Sequence, residues 1–237
     1  LINIMDIFYK KKILVVAAHP DDELLGLGAT IHQCKFEKKS KIKFLILSKG
    51  IASRNEKNIE KKIKKQIHDA KNAAKILGVK DIKLFDFPDN RFDSIDLLDI
   101  VNVIETEIDS FKPDLIFTHH DNDLNIDHQL TFQAVLTANR PLPGTKSNLI
   151  ITHETPSSTE WQEQSPSKAF HPNFFNKISK KNLIAKQKAI QAYTNEYRPY
   201  PHPRSIKALE VIARRWGTVI GENYAEAFRI IRLINKN

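Results

Sequence analysis

The chain has 237 residues, 41% hydrophobic and 27% charged, the balance of an ordinary globular protein and enough length for one large α/β domain. Its single cysteine, Cys34, excludes an intrachain disulfide, a four-thiolate zinc site and a single-chain iron–sulfur cluster, and fits a reducing, cytoplasmic setting. The net charge is +9, yet no recognition motif accompanies the lysines, so solvated faces explain them and no nucleic-acid partner is expected; attraction of an anionic substrate or a membrane surface is the alternative.

Leu1 to Lys12 lacks the apolar segment and small-residue cleavage site of a signal peptide, and no apolar run is long enough to span a bilayer. From there strand-like runs alternate with amphipathic segments of helical length. The first strand is Ile13–Ala18, followed by a helix over Leu24–Cys34. A strand at Ile42–Leu47 leads to a helix from about Glu56 to Leu77, with Gly78 where a helix C-cap belongs. Next come strand Ile82–Phe87, helix Ile95–Phe111, strand Leu115–Thr118, helix Asp127–Ala138 and strand Leu149–Thr152. This alternation predicts βαβ units and a mainly parallel, Rossmann-like sheet, with ligands bound beyond the carboxyl ends of its strands.

After Thr152 the pattern changes. Residues 154–176 read as a long loop over the sheet. Helices follow at Lys181–Tyr193 and Ser205–Thr218, joined by Tyr197-Arg198-Pro199-Tyr200-Pro201-His202-Pro203-Arg204, a stiff connector with three prolines in five residues. Ala225–Ile234 closes the sequence as helix or strand. The expectation is a single domain over 1–237, with 154–204 building one wall of a cleft.

Two clusters carry chemistry. Strand one stops at His19-Pro20-Asp21-Asp22-Glu23, placing costly polar groups at the edge of a core. A divalent metal is the simplest partner, since imidazole and carboxylate suit zinc. Adjacent carboxylates on a turn point in different directions, so one can ligate while its neighbour faces a water as general base. Capping of the helix at Leu24 explains the aspartates equally well, but not the histidine. The second cluster, Thr118 to His128, has His or Asp at six of eleven positions and follows the Leu115–Thr118 strand, on the same sheet edge. His128 could complete a His–Asp–His set that leaves one position for water, the arrangement of a catalytic zinc.

The Ala18-His19-Pro20-Asp21-Asp22-Glu23 motif, with Asp127-His128 beyond strand four, resembles the PIG-L or LmbE family of zinc-dependent deacetylases, which act on N-acetylglucosamine-type sugars. The resemblance runs from about Ile13 to Ile234. It implies a Rossmann-like three-layer sandwich and one Zn2+ per chain held by His19, Asp22 and His128. It makes Asp21 the general base and Asp127 a residue that orients a histidine or tunes the base. This chain departs from the pattern at Asn125, where many members have a histidine thought to help stabilise the oxyanion. The second oxyanion donor is therefore Asn125 or a histidine from elsewhere, with His202 the candidate. The form Asp123-Leu124-Asn125 with the Pro-His-Pro-Arg turn is similar to a bacterial branch tied to sugar or glycan biosynthesis.

Candidate substrate-binding groups are Arg54, Arg91 and Arg204, whose guanidiniums fork onto phosphates or hydroxyl pairs, and Glu154 at the end of strand five. Surface salt bridges compete with each. Trp161 and Phe174 or Phe175 are candidates to stack on a sugar face, core packing being the competing reading for the phenylalanines. Gly26-x-Gly28 lacks the third glycine of a dinucleotide loop. The expected activity is hydrolysis of an N-acetyl group on an amino sugar or its conjugate. An amidase of different specificity, on a thiol-sugar or lipid-linked conjugate, and a non-catalytic binding module are the alternatives. A homo-oligomer is left open.

Overall fold

The structure is a computed structural model, which describes residues 6–50, 59–142 and 147–235. Its elements, in chain order, are β1 (Lys12–Ala17), α1 (Asp22–Leu25), α2 (Gly28–Phe36), β2 (Lys41–Ser48), α3 (Ile59–Ile76), β3 (Asp81–Phe87), α4 (Leu97–Phe111), β4 (Leu115–His119), α5 (Ile126–Ala138), β5 (Leu149–His153), β6 (Phe174–Lys177), α6 (Lys180–Ala192), α7 (Ile206–Val219) and β7 (Ala225–Leu233).

The strands form one sheet in the order β3-β2-β1-β4-β5-β7-β6. The first five neighbours pair in parallel, with Ile13 of β1 opposite Ile42 of β2 on one side and Leu115 of β4 on the other. β7 runs antiparallel to both β5 and β6. β1 is apolar on both faces because both are covered. Ile13 and Val15 pack with residues of α2, α3 and α6, while Leu14 and Val16 pack with α4 and α5. The result is a three-layer Rossmann-like sandwich. Strand order reverses between β1 and β4, and the crevice at such a point is where doubly wound sheets bind ligands. His19 leaves β1 there, and the cluster ending at His128 leaves β4 there. Among the described residues no helix is long and apolar enough to cross a membrane.

Two elements differ from the sequence reading and a third is decided between its two alternatives. The helix expected over Leu24–Cys34 breaks into α1 and α2 at Gly26-Leu27, because the chain after β5 passes so close that a Cβ on Gly26 would lie 2.0 Å from the Glu154 carbonyl oxygen. The new N-terminus of α2 is held by β7: the Glu226 carboxylate accepts from the Ala29 and Thr30 amides and pairs with Lys186 at 2.7 Å, both side chains buried. β6 lies in the segment read as loop, since four residues at a sheet margin are too few for a period. The last segment is a strand. Elsewhere the local signals hold among the described residues, the start expected near Glu56 for the helix ending at Leu77 lying outside them. Gly78 takes φ +77° after α3, with its amide bonded to Lys75 O and that of Val79 to Ala74 O, the left-handed helix ending that glycine permits.

Candidate active site

The site begins with the turn after β1. Asp21 occupies the left-handed region at φ 98°, a strained conformation that Asp tolerates better than most residues. Glu23 pins it, one carboxylate oxygen accepting from the Asp21 amide at 2.9 Å and the other from the Tyr193 hydroxyl at 2.6 Å. The turn aims Asp22 back over His19, whose amide donates to Asp22 Oδ2 at 2.9 Å. From the other side, Asn125 caps α5 by accepting from the Asp127 amide at 2.8 Å. That cap places Asp127 and His128 on the first turn, facing β1.

Three donor atoms converge. Asp22 Oδ2 lies 3.2 Å from His19 Nδ1 and 3.2 Å from His128 Nε2, and the two nitrogens are 3.3 Å apart. The far nitrogen of each ring is held by a carboxylate: His19 Nε2 by Asp127 at 2.8 Å, His128 Nδ1 by Asp123 at 2.9 Å. A carboxylate only accepts, so each of those nitrogens carries a hydrogen, and the two facing nitrogens, which meet Asp22, are the ones a metal would take in place of a proton. Three such atoms within 3.3 Å of one another call for positive charge among them, as protons or as a cation. Bonds of about 2.0–2.1 Å to a tetrahedral zinc place ligand atoms about 3.3 Å apart, so the set fits. The electrostatics agree. Burial works against charge on His19 and His128, yet Asp127 and Asp22 carry His19 up to about 10, and Asp22 and Asp123 carry His128 to about 9. Burial likewise opposes charge on Asp22, but the facing imidazoles hold its carboxyl well below the usual range.

The carboxylates behind the rings are themselves anchored. Asp127 Oδ1 accepts from the Phe92 amide at 2.9 Å. Asp123 accepts from the hydroxyls of Ser158 and Thr159, which lie in the segment after β5. His119 stacks on His128 at 3.9 Å between ring centres and accepts from the Ala18 amide. Burial keeps it well below the usual histidine range, so a neutral ring backs the ligand.

Asp21 points elsewhere. Its Oδ2 accepts from Arg204 Nη1 at 2.8 Å; the same guanidinium reaches Glu196 at 3.0 Å and Ser157 Oγ at 2.7 Å. Burial still outweighs the arginine and raises the Asp21 carboxyl well above its ordinary value. Both aspartates, His19, His128, Asp89, Asn125 and Arg204 are among the residues lining one cavity of about 160 Å³.

The structure thus brings together His19, Asp21, Asp22, Asn125, Asp127, His128 and Arg204. It does not bring in three others, and a fourth lies outside the described residues. His202 turns Nδ1 onto the Arg204 amide at 3.1 Å, sets its ring edge-on to Trp161, and is not part of the cavity wall. Glu154 accepts from the Trp216 indole at 2.5 Å, away from the cavity, because its strand end packs under α7. Arg91 is exposed on the turn whose neighbours Asp89 and Asn90 line the cavity. Arg54 lies outside the described residues. Sequence reasoning missed Asp89, Asp123 and Glu196. Asp123 stood inside the His/Asp cluster, but nothing local marked which of its carboxylates would face a ring.

Residues 14–139 match the family described as PIG-L, GlcNAc-PI de-N-acetylase. The chain is 28% identical over 189 residues to the uncharacterized deacetylase YaiS of Escherichia coli K12, covering 78% of this chain and 91% of that one. It is 26% identical over 229 residues to the diacetylchitobiose deacetylase of Thermococcus kodakarensis, covering 93% and 83%. Among solved structures, the conserved protein TT1542 of Thermus thermophilus superposes with a TM-score of 0.74 at 23% identity, covering 96% and 97%. The 4-carboxy-2-hydroxymuconate hydratase GalB of Pseudomonas putida superposes equally well, 0.74 at 20% identity over 96% and 99%, so the fold by itself leaves the reaction open and the site must decide it.

Proposed function

The chain belongs to the PIG-L family of GlcNAc-PI de-N-acetylases, and from that premise we propose that it is a zinc-dependent N-deacetylase acting on an N-acetylated amino sugar or its conjugate, in glycan or sugar-conjugate biosynthesis. One observation carries the reading: the converging ligand atoms of His19, Asp22 and His128, beside a buried carboxylate, Asp21, that is not part of the set.

Zinc held by those three residues would lower the pKa of a water and polarise the amide carbonyl. The protein does the rest. Asp21 accepts the proton of the attacking water and returns it to the leaving amine, and its raised proton affinity suits both halves of that transfer. Arg204 keeps the carboxylate aimed, and Ser157 and Glu196 keep Arg204 aimed. Asn125 spends its side-chain oxygen on the cap and one N–H on Asn90 at 3.0 Å. Its second N–H, on the cavity wall, is the proposed donor to the oxyanion, in preference to His202, which is not among the residues lining the cavity. Asp127 and Asp123 fix the tautomers of His19 and His128.

The cavity wall is polar, with Asp21, Asp22, Asp89 and Glu196 beside His19, His128 and Arg204, and it suits the hydroxyls and amide of an acetamido sugar. Residues 154–204 form one side of the cleft, through Ser157, Ser158, Glu196 and Arg204, within what we read as one domain. With its single cysteine buried, a cytoplasmic setting belongs to the same reading.

The test is acetate release from a panel of N-acetylated sugars, thiol-sugar conjugates and lipid-linked sugars. Release from the simple sugars or their plain glycosides supports the proposal; release only from the thiol-sugar or lipid-linked conjugates assigns an amidase of different specificity. Salt-sensitive binding of an acidic polymer without any acetate overturns it in favour of a binding module.

A further inference from the structure

The parallel strands end at the candidate site. At the opposite end, where they begin, the chain gathers lysines. Lys10-Lys11 leads into β1, Lys38-Lys39-Ser40 leads into β2, which starts at Lys41, and Lys112 follows α4 just ahead of β4. Pairing sets Lys12 opposite Lys41 and Ile13 opposite Leu115, so the three entries are neighbours. A hollow between them is walled by Lys10, Lys12, Lys39, Lys41, Lys112 and a single acid, Asp114. Asp114 is turned to the backbone, its Oδ2 accepting from the Lys12 amide at 2.7 Å. Among the described residues none of the five ammoniums has a carboxylate partner, and all but Lys12 belong to exposed residues. Three of them, Lys10, Lys39 and Lys112, stand at φ 54°, 59° and 54°, a region that glycine enters freely and a side chain does not. Like charges gathered without acids repel one another, and an anionic partner relieves that repulsion. Apolar side chains share this end. Tyr9 and Phe36, the last residue of α2, are 47% and 56% exposed. Leu233, opposite the first residue of β5, is exposed as well.

We propose that the strand-entry end of the sheet is a docking surface for an anionic lipid bilayer, which leaves the cleft facing water. The chemistry favours a bilayer over a single phosphate or a nucleic acid. The backbone amides here are already used: Lys10 donates to Lys38 O, Lys41 to Lys11 O and Asp114 to Lys12 O, so no nest of free amides cradles a phosphate. The hollow has no arginine in its wall, whereas bidentate phosphate recognition uses the guanidinium fork. Ammoniums spread on flexible stems, flanked by exposed aromatic and aliphatic side chains, match a plane of many lipid charges with an apolar layer beneath it. The six residues of β1 set the docked end about 20 Å from His19. The docking surface stands independently of the deacetylase reading. Its consequence for the site is that substrate arrives from solution and not from the bilayer on which the protein sits.

Sedimentation with vesicles of phosphatidylglycerol and phosphatidylcholine tests the proposal. The wild type is expected to sediment with them, to stay in solution with phosphatidylcholine alone, and to be released by salt. Each lysine near an anionic surface raises affinity about fivefold, so the triple variant Lys39→Gln, Lys41→Gln, Lys112→Gln is expected to bind about 10²-fold more weakly while keeping its thermal midpoint. Bromine-labelled lipid reads the orientation. Trp161 and Trp216 both bond to the segment after β5, at the far end of the sheet. Wild-type indole emission is therefore expected to stay unchanged on the vesicles, and Tyr9→Trp to add a quenched component. No binding to the anionic vesicles, undiminished binding by the triple variant, or quenching of the wild-type emission overturns the proposal. So does lysine-dependent binding to duplex DNA that is tighter than binding to the vesicles, which assigns the surface to a nucleic acid.

Discussion

Arg204 Nη1 lies 2.8 Å from Asp21 Oδ2, so the arginine that the sequence offers as a substrate clamp is committed to the carboxylate proposed as base. That contact joins the Pro-rich connector to the turn after β1 across 183 residues. It gives Arg204 a positioning role, since Asp21 is the group that would meet the water. Arg204→Met is expected to lower kcat by about 10²-fold, the scale of a misplaced catalytic group, while zinc content stays at the wild-type level. Acetate release and metal analysis on the same preparation check this, and an unchanged kcat refutes it.

The carboxylates behind the imidazoles should act through affinity. Asp127→Ala leaves His19 Nε2 with the more distant Asp89 Oδ1, at 3.4 Å, and Asp123→Ala removes the carboxylate at His128 Nδ1. Each is expected to weaken zinc binding by about 10–100-fold, measured by competition with a chelator. His128→Ala, which removes a donor atom, is expected to lose the metal under the same conditions. Equal affinity in all variants would mean that the three atoms do not hold a cation.

Away from the site, Glu107 of α4 pairs with Lys43 of β2 and Lys83 of β3, each at 2.6 Å. Burial alone would raise its carboxyl, but the two lysines bring it below the ordinary value. A depressed carboxylate stabilises the fold above the unfolded pKa, about 4.3, and the contribution is lost as pH falls through the folded value. Glu107→Gln is therefore expected to cost about 1.5–3 kcal/mol at neutral pH and nothing once the carboxylate is protonated in acid. Denaturation midpoints across pH for both proteins test the sign: a deficit that grows in acid would contradict it.

The buried pair Lys186–Glu226 should be more costly to break. Lys186→Met leaves an uncompensated carboxylate under the N-terminus of α2, with an expected loss of about 3–5 kcal/mol in chemical denaturation. Lys186→Met combined with Glu226→Gln should recover part of that loss, since the double variant buries no charge.

The comparison of sequence with structure divides along physical lines. The parallel core was readable because β1, β2, β4 and β5 are largely apolar runs bounded by turn residues, with β3 a mixed polar and apolar edge strand, and β1 and β4 between them pointed to the candidate site. His19, Asp22 and His128 were readable as a set because the strand order put both motifs on one edge. β6 was not, being four residues long, and the break at Gly26 depends on a backbone that arrives from Glu154, far along the chain. The same holds for the long-range partners. Nothing near Arg204 in the sequence says that it meets Asp21, and nothing near His202 says that its ring turns to Trp161. Residues that act through local spacing could be read from spacing; those whose partners come from another element needed the fold.

Zinc content and acetate release, measured together on wild type and Asp21→Asn, test the central claim most directly. The variant is expected to hold zinc as the wild type does and to release acetate about 10²–10⁴-fold more slowly, because the metal donors are intact and only the proton acceptor is gone. An Asp21→Asn protein that deacetylates at the wild-type rate, or a wild-type protein that cannot bind zinc, would contradict it.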